Sequence, residues 1–196
     1  MGSLQSVQKW GISTAIFSTI MLIASFMLVR DAYLLASTGT EPSCDVNPFF
    51  SCGNVFNSWQ AKVFFEAPNP VFGLIGYTVV LTVSVIMMQG IIIQRWFMRV
   101  FTVGMFAAWG FLMWLFYQSV FMIGFLCLYC MIVWVAHTIL LFPLSLWLMK
   151  EGMFSSREKV KSIGEGLLPY SWIPIVASLT AIVASIRVQV PLLFPF

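Results

Sequence analysis

The residues of this 196-residue chain with the most chemistry to offer are its four cysteines, and they fall into two pairs. Cys127 and Cys130 form a Cys-x-x-Cys at one end of a long apolar run, within Phe125-Leu126-Cys127-Leu128-Tyr129-Cys130-Met131. On a helix this spacing sets both thiols on adjacent turns, close enough to close a small disulfide loop. Such pairs serve redox or metal chemistry more often than they staple a fold. Cys44 and Cys52 lie far upstream. Plainer readings stand beside a redox one. The plain alternative for Cys127 and Cys130 is two small apolar residues of a packed helix, against which their paired spacing at a helix end argues. Cys44 and Cys52 read as a structural loop disulfide, as in tetraspan junction proteins. A four-cysteine zinc site requires fixed tetrahedral geometry and usually a soluble knuckle, so no metal is expected.

The elements that must position these thiols are membrane helices. Of the residues 60% are hydrophobic and 9% charged, with a mean hydropathy of +0.95, more apolar surface than a soluble domain of this size can hide. The net charge of +3 is too small to suggest a nucleic-acid partner. The expected fold is an all-α integral membrane protein, one domain over 1–196, with five transmembrane helices over 11–29, 71–89, 100–118, 122–149 and 171–188. Each run is near the length needed to cross the hydrocarbon core. The first reads as a retained span rather than a cleaved leader. Arg30 and Asp31 end it and open a long external loop over 30–68 that carries Cys44 and Cys52.

That loop spends many aromatic and apolar residues, among them Phe49, Phe50, Phe56, Trp59, Phe64 and Phe65, so it is expected to lie on the membrane or cap the bundle. Asn69 suits a helix N-cap and Pro70 the first helical position. The charged segment 150–170 reads as a soluble loop.

With alternating spans, one side holds Lys9, Arg95, Arg99, Lys150, Arg157, Lys159 and Lys161, and the other only Arg30, Lys62 and Arg187. The bias predicts a plasma-membrane protein with a cytoplasmic N-terminus and an external C-terminus. All four cysteines then face the oxidising side, where disulfides persist.

Two pairs at one membrane face suggest a relay. A loop pair exposed to solvent exchanges disulfides with a soluble partner, and a buried helical pair passes two electrons to a carrier dissolved in lipid, for which a quinone fits. Thiol–disulfide exchange requires a thiolate to attack a disulfide through a mixed disulfide, so the pairs must approach one another. The short Cys44–Cys52 loop, with Pro48, is expected to bring Cys52 down to Cys127. If the fourth helix starts near Leu126, its N-terminal end is expected to stabilise a thiolate at Cys130. The sole histidine, His137, lies on a similar face about 10 Å deeper and reads as a packing residue with a hydrogen bond, although any intramembrane histidine is a functional suspect.

The ordered set Cys44-Asp45, Ser51-Cys52, Val55-Phe56, Ser58, Asn69-Pro70-Val71-Phe72-Gly73 and Cys127-Leu128-Tyr129-Cys130 resembles the vitamin K epoxide reductase family. The likeness covers the first four spans and the first external loop. The fifth span looks like the prokaryotic branch, whose DsbB-like members oxidise thioredoxin-like partners and reduce quinones. The resemblance implies that the first four spans bundle around a quinone, menaquinone or ubiquinone. It also implies a thioredoxin-like redox partner of the DsbA type on the external side, as a separate protein or a further part of a longer chain.

By position, Cys44 resembles the outer shuttle thiol, Cys52 the relay, Cys127 the thiol attacked, and Cys130 the one facing the quinone. Asn69 resembles the hydrogen-bond donor to a quinone carbonyl, Ser58 a loop serine near the active site, and Phe56 and Phe72 the pocket walls. Trp134 stands where the animal enzymes carry a tyrosine, which removes the phenolic hydrogen bond expected there. In the DsbB-type oxidases the inner pair precedes the loop pair along the chain, the reverse of the order here. Reduction of a vitamin K quinone or epoxide by an external dithiol is the alternative within the family. A non-catalytic tetraspan-like protein with a loop disulfide is the alternative outside it.

Overall fold

The computed structural model describes residues 2–46, 50–91 and 93–189. Pro48 and Phe49, to which the sequence assigns loop roles, lie outside the described residues, as does the C-terminus at Phe196. Among those described, the chain forms seven α-helices: α1 (Gly2–Thr38), α2 (Cys52–Phe56), α3 (Asn69–Met88), α4 (Arg95–Tyr117), α5 (Leu128–Lys150), α6 (Glu158–Leu167) and α7 (Trp172–Gln189). Short 3-10 turns occur at Trp59–Lys62 and Leu168–Tyr170, and a π-helical turn at Gln118–Ile123. Backbone polar groups in lipid must be bonded within their own segment, which is why every long apolar run is helical.

Four helices, α1, α3, α4 with its π-turn, and α5, are long and apolar enough to cross a membrane. The protein is therefore an all-helical, multi-pass membrane protein. The stretch of α7 reaches that length only together with residues 158–170, from which it is bent by 52°.

Several boundaries differ from those read in the sequence, each for a physical reason. Arg30 and Asp31 do not end the first helix, which continues to Thr38. The Asp31 carboxylate, buried at 2% exposure, accepts the Ser43 backbone N–H at 2.9 Å and the Ser43 hydroxyl at 2.6 Å, so it needs no water. The fourth helix begins at Leu128 rather than at 122. The π-turn before it is closed by Gly124, whose φ of +77° leaves the helical region at a position where glycine carries no steric cost. Asn69 is not a cap but the first residue of α3, and Pro70 follows in the first turn. The segment 150–170 is not a loop either, because it contains α6. That helix lies so close to the end of α5 that a Cβ on Gly164 would sit 2.6 Å from the Lys150 nitrogen.

The bundle has two distinct ends. At one, Trp10 of α1 stacks on Trp147 of α5 with centroids 5.6 Å apart, and the Trp147 indole N–H donates to Ser6 at 2.9 Å. Arg99 at the start of α4 donates to the Met153 carbonyl at 3.0 Å, so Lys9, Arg95, Arg99 and Lys150 gather there. The opposite end holds all four cysteines. Helix α1 packs along α3 and α5, and α4 packs on α5, whereas α3 and α4 barely touch. A gap is left between them.

The α1–α3 seam is tightest at Gly11, where a Cβ would meet the Met88 nitrogen at 2.6 Å and the Met87 carbonyl carbon at 2.9 Å. Both obstacles are backbone, which cannot rotate away. Gly11→Val is expected to destabilise the protein by about 1–3 kcal/mol, the usual cost of overpacking. A lowered thermal midpoint in detergent would show it, and an unchanged midpoint would mean that α1 and α3 can part at this point without loss of stability.

Candidate active site

The site is assembled by backbone before any side chain acts. Phe50 pairs with Leu126 in an isolated parallel bridge, and the Ser51 N–H donates to the Leu126 carbonyl at 3.0 Å. This registers the residue after Ser51 with the residue after Leu126, namely Cys52 with Cys127. Ser51 caps α2, its Oγ accepting from the Asn54 backbone N–H at 3.3 Å, which places Cys52 at the first position of that short helix. Cys44 and Cys52 are joined in a disulfide. Cys127 Sγ lies 3.1 Å from Cys52 Sγ, in contact with it. Cys127 and Cys130 are both thiols.

Cys127 is itself the N-cap of α5, with extended backbone at φ −109° and ψ 120°, and its sulfur accepts the Cys130 backbone N–H at 3.4 Å. Two details of the sequence reading change here. Only Cys130 of the inner pair is in the helix, and the N-terminal end of that helix faces the Cys127 sulfur rather than Cys130. The sulfurs of Cys44, Cys52 and Cys127 lie within 4.8 Å of one another, a spacing that metal clusters also show. Two of them are tied up in a disulfide, so the arrangement is one for thiol–disulfide exchange.

The outer disulfide is not exposed, contrary to the expectation of a solvent-facing loop pair. Cys44 is 2% and Cys52 0% exposed, under Leu28, Phe56 and the flanks of Leu35 and Tyr129. Two carboxylates hold the loop shut. Asp31 takes both donors of Ser43, whose hydroxyl also lies 3.1 Å from the Tyr129 hydroxyl. Asp45 accepts the Gly53 N–H at 3.1 Å and the Ser51 hydroxyl at 3.2 Å. Asp31 thus ties the residue before Cys44 to α1, and Asp45 ties the residue after Cys44 to the start of α2.

Beside the sulfurs lies a cavity of about 430 Å³, bounded by α1, α3, α4, α5 and the loop after α2. Its lining is almost wholly apolar, and Cys130 stands in its wall. Phe56, Phe72, Asn69 and Trp134 also line it. Ser58 does not: its hydroxyl donates to the Val55 carbonyl at 2.6 Å and serves the loop instead. The Asn69 amide donates to the Gln60 carbonyl at 2.7 Å and accepts the Val63 N–H at 3.2 Å, so much of its capacity goes into seating the 3-10 turn over the cavity.

Lining residues that the sequence reading missed include Gln60 and Gln118, whose amides meet at 3.3 Å. Gln118 stood in the sequence as the last residue of a span, where a polar residue signals only an end. Gly76 and Val79 of α3 and Gly104 and Ala108 of α4 line the cavity and are exposed on its outer side, so it opens through the gap between these helices. A flat apolar molecule with a polar head, entering from lipid, suits this lining, and a quinone has that chemistry.

The closed loop yields a test. Hydrogen bonds to a charged group contribute about 1.5–3 kcal/mol, and tenfold in a rate or equilibrium is about 1.4 kcal/mol. Asp31→Asn is therefore expected to speed reduction of the Cys44–Cys52 disulfide by a small dithiol about tenfold or more. Alkylation followed by mass mapping reads it directly. An unchanged rate would mean that Cys44 is reached without releasing Ser43.

No match to the chain was found among curated proteins or among solved structures. The profile of the vitamin K epoxide reductase family matches residues 12–146, from the first turns of α1 almost to the end of α5. That span takes in all four cysteines, both carboxylates of the closed loop and the whole cavity lining, and the chain belongs to the vitamin K epoxide reductase family.

Proposed function

We propose that this membrane thiol oxidoreductase forms disulfides in a thioredoxin-like partner and passes the electrons to a membrane quinone. The observation that carries the reading is a continuous line of reactive atoms. Cys127 Sγ touches Cys52 Sγ, and Cys130 stands in the wall of an apolar cavity open toward lipid. Family membership supplies the oxidoreductase class, and the basic residues gathered at the far end of the bundle support an external position for the cysteines. In this reading α7 serves as a fifth span. Its Ile182 and Ile186 pack in one cluster with Leu126, Phe116 and Trp134, near the cysteine end.

Each exchange conserves electrons. A partner thiolate attacks Cys44 and releases Cys52 as a thiolate. The partner's second thiol then resolves the mixed disulfide, leaving the partner oxidised and Cys44 and Cys52 reduced. Cys52 attacks Cys127 of an inner disulfide and expels Cys130. Cys44 then attacks Cys52, re-forming the outer disulfide and freeing Cys127. The structure has the redox pattern that follows this step, with the outer pair joined and the inner pair as thiols. A quinone bound in the cavity supplies the sink for two electrons and two protons as the inner disulfide is re-formed. The protein's own part is to hold Cys130 at the cavity wall, keep Cys127 against Cys52 and exclude water from both.

The test is quinone reduction by the purified protein with a reduced thioredoxin-like protein, each cysteine followed by alkylation and mass mapping. Cys130→Ala is expected to abolish quinone reduction and to let a Cys52–Cys127 mixed disulfide accumulate. Normal turnover in that variant would sink the relay. A permanent Cys44–Cys52 disulfide, with no response of any thiol to quinone, would leave a structural membrane protein. Turnover of a naphthoquinone epoxide would instead favour reduction driven by an external dithiol.

A further inference from the structure

The relay leaves the inner part of the cavity without a role, and there three polar side chains converge from three helices. Ser25 of α1, Tyr77 of α3 and His137 of α5 all line the cavity, exposed by 3%, 6% and 0%. His137 Nε2 lies 3.0 Å from the Met105 carbonyl and Nδ1 lies 3.1 Å from the Tyr77 hydroxyl. A carbonyl only accepts, so Nε2 carries the proton, and in the neutral ring Nδ1 accepts from the Tyr77 O–H. The phenol's proton is thereby committed, and its ring is fixed over Gly73. Tyr77 Cε2 is 3.8 Å and Ser25 Oγ 2.8 Å from the point where a Cβ on Gly73 would stand.

Ser25 is the exception among its kind. Buried hydroxyls on these helices turn back to their own backbone: Thr14 to Trp10, Ser18 to Ala15, Ser84 to Leu81, Thr102 to Met98. Ser25 makes no such bond and has no other hydrogen-bond partner among the described residues, although the residue is only 3% exposed and borders the cavity. Among the described residues no fully enclosed side-chain polar atom lacks a partner, so the Ser25 hydroxyl is open to the cavity and available to pair with what occupies it. Gly73 keeps the space in front of it free, since any Cβ there would cover the hydroxyl.

We infer that Ser25 is a substrate-binding residue whose hydroxyl donates to a carbonyl oxygen of the quinone, with Tyr77, braced by His137, and Gly73 shaping the space around that oxygen. The inference rests on the quinone reading and deepens it. A quinone ring carries carbonyls on opposite edges. The amides of Gln60, Gln118 and Asn69 lie at the loop side of the cavity, and Ser25, beside Gly73, stands one turn of α3 farther from the loop. The ring is then held in one orientation against Cys130. No proton is transferred by Ser25 in this scheme.

The experiment uses decyl-ubiquinone labelled with carbon-13 at its carbonyls, bound to the full chain in detergent. Affinity is read by tryptophan quenching, and the carbonyl stretches by infrared difference spectroscopy. In the unaltered protein a carbonyl stretch is expected to fall relative to free quinone. Ser25→Ala should remove that shift and weaken binding about tenfold, the scale of one lost hydrogen bond. Gly73→Ala should do the same. Added to Ser25→Ala it should cost little more, because the new Cβ then meets the residue-25 Cβ at 3.5 Å and Tyr77 Cε2 at 3.8 Å, both ordinary contacts. Full affinity and an unshifted spectrum in Ser25→Ala, while quinone still binds, would overturn the role of Ser25 and leave the quinone reading intact. Absence of any quinone binding to the unaltered protein would overturn both. A Cys52–Cys127 mixed disulfide that still forms when Ser25→Ala is combined with Cys130→Ala reports that the cysteine end is folded, so that the lost affinity belongs to Ser25.

Discussion

The contact between Cys52 and Cys127 depends on two backbone groups, the Ser51 N–H and the Leu126 carbonyl, bonded at 3.0 Å. Everything else at the cysteine end serves that register. A thiol and a disulfide exchange only when their sulfurs meet, and flexible loops rarely hold two sulfurs together. Here a loop segment docks as a single strand-like pairing on the extended residues ahead of α5. The π-turn and Gly124 are what leave those residues extended and able to pair. Had α4 and α5 met through a plain helical turn, Leu126 would have spent its carbonyl inside a helix and offered nothing to Ser51.

Burial of the outer disulfide fits the same constraint. The two carboxylates hold the loop against α1 and α2, which keeps Cys52 in place against Cys127 and also screens Cys44 from solvent. In the proposed relay, exchange with a soluble partner and exchange with the inner pair make opposite demands on one short loop. Hydrogen bonds to charged groups are strong enough to favour the closed form and few enough here to be released.

The cavity reflects the solvent outside it. In lipid there is no hydrophobic force to press α3 against α4, and the glycines and alanine that face each other across the gap supply little packing surface. A lateral opening costs less there than it would in water. Polar groups inside such a cavity are expensive unless paired, and nearly all of them are: Gln60 with Gln118, Asn69 with the loop, Tyr77 with His137. The unpaired hydroxyl of Ser25 stands out against that background.

Much of this protein was legible in its residues. Hydropathy marked five spans, four of which are helices long and apolar enough to cross a membrane on their own, because in lipid each run must satisfy its own backbone whatever its neighbours do. The cysteine spacing and motif order pointed to the family, and the alternation of spans put both pairs at one end. The errors are those of local reading. Asp31 looked like a stop because its partner, Ser43, is twelve residues away. Asn69 looked like a cap because its bonds to Gln60 and Val63 require the loop to fold back. Hydropathy also ran the fourth span through the π-turn, since Gly124 breaks a helix by its backbone angle and not by its polarity. The sequence by itself determined the solvent, the helices and the kind of chemistry, all set by properties of residues near one another in the chain. Only the tertiary structure decided which sulfur touches which, that Cys44 is covered, and that Ser25, Tyr77 and His137 face one cavity. Those outcomes depend on how each helix is rotated about its axis and where the loop lands, which packing between distant segments sets.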